Sequence, residues 1–335
     1  MRVAIFGVRS YDRRHLSAAN ERHGHELVFL DAGLDANTAA LAQGSGAVCA
    51  FVNDRLDAEV LGLLKELGVQ LVALRCAGFN NVDLAAAEAL RLPVVRVPAY
   101  SPHAVAEFTI GLLLAMDRKI HRAWARTRED NFSLEGLVGR NLHGRVAGVV
   151  GTGRIGALVA RALRCGFGCE VLASDPCPDP EVEAMGVRYV AREELLATSD
   201  IVTLHCPLTP ETRHLINAQM LERAKPGLVV VNTSRGALID TPALIGALKS
   251  RKLGGVALDV YEQEGDLFFR DLSGEIIQDD VFKRLLTFPN VLVTGHQAFL
   301  TEEALDAIAE TTLANISAAQ EGRPLENSVT TTMLR

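Results

Sequence analysis

The chain has no long apolar run, no basic stripe and no cysteine framework, and each absence closes off a class of function. The segment FTIGLLLAM at residues 108–116 is flanked by charge and falls well short of the ~20 residues that span a bilayer. Net charge is −7 with no cluster of Lys and Arg, so nucleic acid is a poor partner. The cysteines, Cys49, Cys76, Cys165, Cys169, Cys177 and Cys206, match no zinc spacing, and several lie in apolar patterns as buried free thiols do. No metal is expected, and a reducing, cytoplasmic setting is the default. The opening MRVAIFGVRS already reads as a strand and lacks the charged head, apolar run and cleavage site of a signal peptide. No long internal repeat or low-complexity tract appears.

What is present is a chain of 335 residues, 48% apolar and 22% charged, which is ordinary for a soluble α/β protein of about two domains. Apolar strand candidates at 2–7, 26–30, 47–52, 69–74 and 93–97 alternate with helical patterns near 11–22, 55–67 and 81–90. A second strand series follows at 145–150, 170–174, 201–205, 228–232, 254–259 and 290–294. Continuous apolar strands alternating with helices imply parallel sheets covered on both faces. Ser101 and Pro102 open a helical pattern that runs unbroken to about residue 127, and NFSLEGLVGRNLHG after it reads as a loop. A last helix is expected at about 301–320. The expected fold is α/β, two doubly wound parallel-sheet domains, one flavodoxin-like and one Rossmann, with an active-site cleft between them. The first is discontinuous, 1–100 plus 299–335, around an inserted domain, 101–298.

Residues 146–156, VAGVVGTGRIG, give an apolar strand, then G-x-G-x-x-G at Gly151, Gly153 and Gly156, then a helix pattern. Gly151 serves the tight turn, Gly153 the approach of a pyrophosphate and Gly156 the helix–strand packing, with helix amides holding the phosphates. The next strand, EVLASD, ends in Asp175, 19 residues past Gly156, where an acid bonds ribose hydroxyls and repels a 2′-phosphate. NAD is therefore the expected cofactor. A turn residue before Pro176 is the plainer reading of Asp175. LHCPLTPET follows another strand, and its Cys206, Pro207 and Thr212 are placed to line the nicotinamide side. Alone it is only a loop.

Arg235, Glu264 and His296 each lie just past a strand pattern downstream of the fingerprint. In a doubly wound sheet the carboxyl ends of strands converge on one crevice. A guanidinium, a carboxylate and an imidazole brought together there can bind a carboxylate, orient an imidazole and move a proton, which suits reduction of a 2-oxo acid. His205 is a weaker candidate at a strand end, and His103, His121, His143 and His214 have no comparable acid partner visible in sequence.

GTGRIG (151–156), NTSRGALID (232–240), ALDVYEQE (257–264) and GHQAFLTEEAL (295–305), with RCAGFNNVD (75–83) and VPAYSPHAVAEF (97–108), resemble the D-isomer-specific 2-hydroxyacid dehydrogenases over most of the chain. Within that family DVYEQEGDLFF and GHQAFLT look most like the bacterial fermentative D-lactate dehydrogenases. Gly295 departs from the proline that many members carry before the histidine. The resemblance implies His296 as acid/base, Glu264 as its carboxylate partner and Arg235 as the substrate-binding arginine. It implies that the amides of Ala77 and Gly78 grip the substrate carboxylate, and that Tyr100 and Phe299 wall the pocket. Arg154, Ile155, Asp175 and Asp259 correspond to cofactor contacts, and Thr233 and Ser234 stand with them. It further implies pyruvate and D-lactate as the substrate pair and a homodimer or homotetramer. A bulkier 2-oxo acid such as phenylpyruvate, or a non-catalytic NAD-sensing interaction protein, is the alternative.

Overall fold

The computed structural model describes residues 1–334. The chain divides into two compact units, Met1–Ser101 together with the chain from Leu300 onward, and Pro102–Phe299.

In the first unit, short runs of small and branched apolar residues are buried on both faces and form a parallel sheet. Its strands are β1 (Arg2–Ile5), β2 (Glu26–Phe29), β3 (Ala47–Ala50), β4 (Leu71–Leu74) and β5 (Val94–Val95), in the order β2-β1-β3-β4-β5. That is the flavodoxin-like order, with its reversal at β1 and β3. One face carries Val3, Ile5 and Ala73 against Leu16 of helix Ser10–His23 and Leu313 and Ile316 of helix Glu302–Gln320. The two helices pair through polar side chains, with the acids of the second spaced four apart: Arg14 bonds Glu302 at 2.5 Å, His15 bonds Asp306 at 2.6 Å and Arg22 bonds Glu310 at 2.6 Å. Helices Ala58–Glu66 and Leu84–Ala89, each capped by an aspartate (Asp57, Asp83), close the other face.

The second unit holds a seven-stranded parallel sheet of β6 (Val146–Val150), β7 (Glu170–Ser174), β8 (Arg188–Tyr189), β9 (Ile201–Leu204), β10 (Leu228–Asn232), β11 (Leu253–Leu258) and β12 (Val291–Val293). The order is β12-β11-β10-β9-β6-β7-β8, a Rossmann arrangement whose strand order reverses between β6 and β9. The register pairs Val150 with Leu204, Asn232 with Leu258 and Leu258 with Val293, so the strands end level where the fingerprint and the three candidate residues follow.

Two features differ from expectation. The helical pattern from Pro102 to about 127 is not one helix but two, Pro102–Asp117 and Ile120–Thr127. The break falls at Lys119, whose backbone is left-handed (φ 53°), and at Asp117, whose carboxylate turns to Arg140 and accepts from its backbone and guanidinium (2.7–3.0 Å). The two-residue edge strand β8 escaped the pattern because it is too short to show periodicity. Among the described residues no helix is long and apolar enough to cross a membrane.

Candidate active site

The glycine fingerprint folds as its spacing requires. Gly151 ends β6 in a left-handed conformation (φ 89°), and a Cβ there would stand 2.6 Å from the Cys206 amide. A Cβ on Gly156 would stand 1.9 Å from the Gly151 carbonyl oxygen, so only glycine lets helix Arg154–Arg161 start so close to the strand. Gly153 differs in kind: nothing lies within 4 Å of its missing Cβ, and no side chain caps the helix it begins. An open backbone at an uncapped helix start fits a bound pyrophosphate.

Asp175, at the end of β7, accepts from the Thr152 amide at 2.7 Å and the Cys177 amide at 2.8 Å. Its carboxylate is thereby fixed beside the fingerprint, where the adenosine ribose of a dinucleotide belongs. Tyr189 on β8 donates to the Thr152 hydroxyl (2.8 Å), a brace that the sequence did not reveal. The residues present thus fit NAD.

Beyond β9, the Cys206 carbonyl accepts from the Ser234 hydroxyl at 2.8 Å, and Thr212 donates to the Pro207 carbonyl at 2.7 Å. The first bond ties the 206–212 turn to the loop that follows β10, and the second closes the turn on itself. Burial pushes the Cys206 thiol up to about 11, so it is held as a neutral thiol. The Thr233 hydroxyl meets Thr109 at 2.7 Å inside the protein, while Ser234 and Arg235 lead the loop outward. Buried Asn232 shapes that loop by donating to the Arg235 carbonyl (2.9 Å) and accepting from the Ser234 amide (3.0 Å). The Arg235 guanidinium bonds the Ser234 carbonyl at 2.8 Å.

His296 and Glu264 come together directly, with His296 Nδ1 2.7 Å from Glu264 Oε1. The other oxygen of Glu264 accepts the Tyr261 amide at 2.9 Å, so the carboxylate is oriented at both ends. His296 sits in a left-handed backbone (φ 54°) and donates its amide to the Asp259 carbonyl at 2.7 Å. Asp259 organises this loop from below. Its carboxylate is fully buried and accepts from the Thr294 hydroxyl (2.5 Å), the Gln297 amide (2.9 Å) and the Ala298 amide (2.8 Å). Burial raises its pKa, and the three donors with the nearby imidazole oppose that rise. The Phe269 ring packs 5.7 Å from the imidazole. Neither the Asp259 clamp nor Phe269 was visible as such in the sequence; the only signal was their place in the DVYEQEGDLFF run.

His205, beneath the fingerprint, is half-buried with its Nε2 turned away from solvent, and burial pushes its imidazole down to about 4. Among the described residues its Nε2 has no hydrogen-bond partner.

Of the remaining candidates, Ala77, Gly78 and Tyr100 belong to the first unit and Phe299 ends the second. Gly78 and Phe299 are buried, and Ala77 and Tyr100 half-buried. The Ala77 carbonyl accepts from Arg96 at 2.8 Å.

Comparison with known proteins points to one family. The model of the D-isomer specific 2-hydroxyacid dehydrogenase NAD binding domain matches residues 110–298. A 2-hydroxyacid dehydrogenase homolog of Haemophilus influenzae is 55% identical over 329 residues, 98% of this chain and 99% of its own. The D-lactate dehydrogenase of Escherichia coli is 53% identical over 329 residues, 98% of this chain and 100% of its own. A solved structure of the pyruvate reductase of Chlamydomonas reinhardtii superposes with a TM-score of 0.93 at 47% identity, covering 98% of each chain. With the fingerprint, the second-strand acid and matches spanning nearly the whole chain, the protein belongs to the D-isomer-specific 2-hydroxyacid dehydrogenases and is an NAD-dependent enzyme of that family.

Proposed function

We propose that the enzyme reduces pyruvate to D-lactate, reversibly, with His296 as acid/base, Glu264 as its orienting carboxylate and Arg235 as the substrate-binding cation. The observation that carries this reading is the 2.7 Å bond between His296 and Glu264, beyond the carboxyl ends of β12 and β11, with β11 next to the β10 that leads to Arg235. Bound NADH supplies a hydride to the substrate's C2.

The protein's part is the proton and the charge. With Nδ1 committed to Glu264, Nε2 is the nitrogen that hands a proton to the carbonyl oxygen as it turns into an alkoxide. Glu264 fixes that tautomer and holds the ring in place. Arg235 presents a planar fork suited to a carboxylate and its neighbouring carbonyl oxygen, and opposes negative charge growing on the latter. The Ala77 and Gly78 amides take the substrate carboxylate, and Tyr100 and Phe299 limit its side chain. Gly151, Gly153, Arg154, Ile155, Gly156 and Asp175 hold the dinucleotide, with Cys206, Pro207, Thr212, Thr233, Ser234 and Asp259 forming the frame on its nicotinamide side. The names of the Escherichia coli and Chlamydomonas reinhardtii relatives favour pyruvate over bulkier 2-oxo acids.

The enzyme is further proposed to work in the cytoplasm as a homodimer or homotetramer. Helix Ile120–Thr127 buries none of its residues, leaving Trp124 63% exposed, and the segment after it leaves Leu134 80% and Val138 85% exposed. Apolar side chains shown together in this way mark an association surface, here for a second copy of the chain.

The test follows NADH absorbance with pyruvate, phenylpyruvate, oxaloacetate and glyoxylate. Preference for pyruvate, with a product oxidised only by a D-lactate-specific assay, is expected. His296→Ala should lower turnover by about 10²–10⁴-fold with NADH affinity retained. Preference for phenylpyruvate would overturn the substrate, and tight NADH binding without any turnover would leave a sensing protein.

A further inference from the structure

We propose that Arg96 is a positioning residue for the substrate carboxylate, acting through the peptide that joins Ala77 to Gly78. The proposal rests on the reading that the Ala77 and Gly78 amides receive that carboxylate.

The geometry lies within the first unit. The segment after β5 runs beside the loop after β4, and it takes up two successive carbonyls of that loop. The Val97 amide donates to the Cys76 carbonyl at 3.2 Å, and Arg96 Nη1 donates to the Ala77 carbonyl at 2.8 Å. In a trans peptide the N–H points away from the C=O. The two N–H groups of these peptides, on Ala77 and Gly78, are therefore turned away from residues 96–97. Among the described residues neither of them donates a hydrogen bond. Two adjacent unpaired amides facing the same way form a ready anion receptor.

Arg96 adds charge to this receptor without occupying it. A cation on a peptide oxygen polarises the whole amide and strengthens its N–H as a donor. The Gly78 N–H thus presents part of the guanidinium charge while the guanidinium itself stays behind the loop. The arginine is well fixed for this task. Its guanidinium carbon lies 5.0 Å from the centre of the Phe79 ring. Its own backbone donates to the Asn327 carbonyl at 3.0 Å and accepts from Asn315 at 3.0 Å, and Asn327 in turn bonds Asn315 at 2.9 Å. A neutral donor in place of Arg96 would keep some of the shape and lose the polarisation.

The experiment compares wild type, Arg96→Lys and Arg96→Gln. Oxamate, an isostere of pyruvate, is titrated into the enzyme–NADH complex by quenching of NADH fluorescence, and KM and kcat are measured for pyruvate. In Arg96→Gln the oxamate Kd and pyruvate KM should rise roughly tenfold, with kcat within about twofold and NADH affinity unchanged. Arg96→Lys, which keeps a cation and a donor, should recover part of the loss. Unchanged oxamate affinity in Arg96→Gln would overturn the proposal. So would a joint fall of kcat and affinity that lysine does not rescue, because that is the signature of a merely structural side chain. A crystal structure of the wild-type ternary complex with NADH and oxamate separates the two levels. A carboxylate bound away from the Ala77 and Gly78 amides would remove the underlying reading. A carboxylate on those amides, with Arg96→Gln binding oxamate as well as wild type, would remove only the role of Arg96.

Discussion

The two units begin their sheets with the same corner and finish it in opposite ways. In each, a strand runs into a left-handed glycine and then a helix: β1, Gly7 (φ 60°) and helix Ser10–His23 in the first, β6, Gly151 (φ 89°) and helix Arg154–Arg161 in the second. The first unit fills its corner with its own charge. Asp12 accepts the Arg9 amide at 3.0 Å and lies 3.5 Å from buried Arg75, which donates to the Gly7 carbonyl at 3.1 Å. Buried Asp54 takes the Leu34 and Phe51 amides close by, at 2.7 and 2.6 Å. The second unit has no acidic residue in the first turn of its helix, its Asp175 bonding the Thr152 amide just before it, and leaves Gly153 open. A helix N-terminus attracts an anion in either case. One corner meets its helix start with its own carboxylate, and the other keeps its demand for a ligand.

That contrast can be broken most severely at Gly156. Alanine there puts a carbon 1.9 Å from a backbone oxygen, and overpacking of that kind should weaken NADH binding about 100-fold or more, read by fluorescence titration. Wild-type affinity would mean the helix can back away and the corner is not rigid. A second break lies beneath the fingerprint, in His205. Its folded-state pKa near 4 lies below the ordinary value of 6.5, so the unfolded chain binds the proton more readily. The stability due to a neutral His205 is complete above about pH 6.5 and is lost as pH falls toward 4, by up to about 3 kcal/mol. His205→Met should flatten thermal stability over that window, and an equal slope in both proteins would assign the acid lability elsewhere. Asp175→Ala should shift use of NADPH relative to NADH upward on the order of tenfold, checked by kcat/KM with each cofactor. The smallest effect is expected at Gly7. Nothing lies nearer than 3.8 Å to its missing Cβ, so Gly7→Ala should cost about 1 kcal/mol of backbone strain and leave NADH affinity untouched. A loss of NADH binding there would deny that the corner is self-satisfied.

The open corner was legible in the sequence and the filled one was not. G-x-G-x-x-G and an acid 19 residues on depend on spacing along one strand–turn–helix unit, and spacing is what a sequence records. Asp12, Asp54 and Arg75 come from three separate segments, and only the fold shows that they share one interior. The same distinction runs through the candidate site. Arg235, Glu264 and His296 could be picked out because each follows a strand. That Asp259 clamps the histidine loop, and that Tyr261 offers its amide to Glu264, depends on turns whose shape leaves no periodic trace. The break in the helical pattern at Lys119 was hidden for a similar reason. The run itself is helix-forming throughout, and the interruption comes from Arg140, 23 residues downstream, claiming the carboxylate of Asp117.

Because helix Glu302–Gln320 completes the sheet that Met1–Ser101 begins, the order of synthesis bears on how the protein reaches its native state. The ribosome delivers the first five strands early and their covering helix last, after about 200 residues that take roughly 10–40 s to make. Until then Val3, Ile5 and Leu71 have no Leu313 or Ile316 to cover them. The nascent amino-terminal half thus waits with that apolar sheet face only half covered, by helix Ser10–His23, a natural client for chaperones, and a truncation just before helix Glu302–Gln320 would leave the other half open.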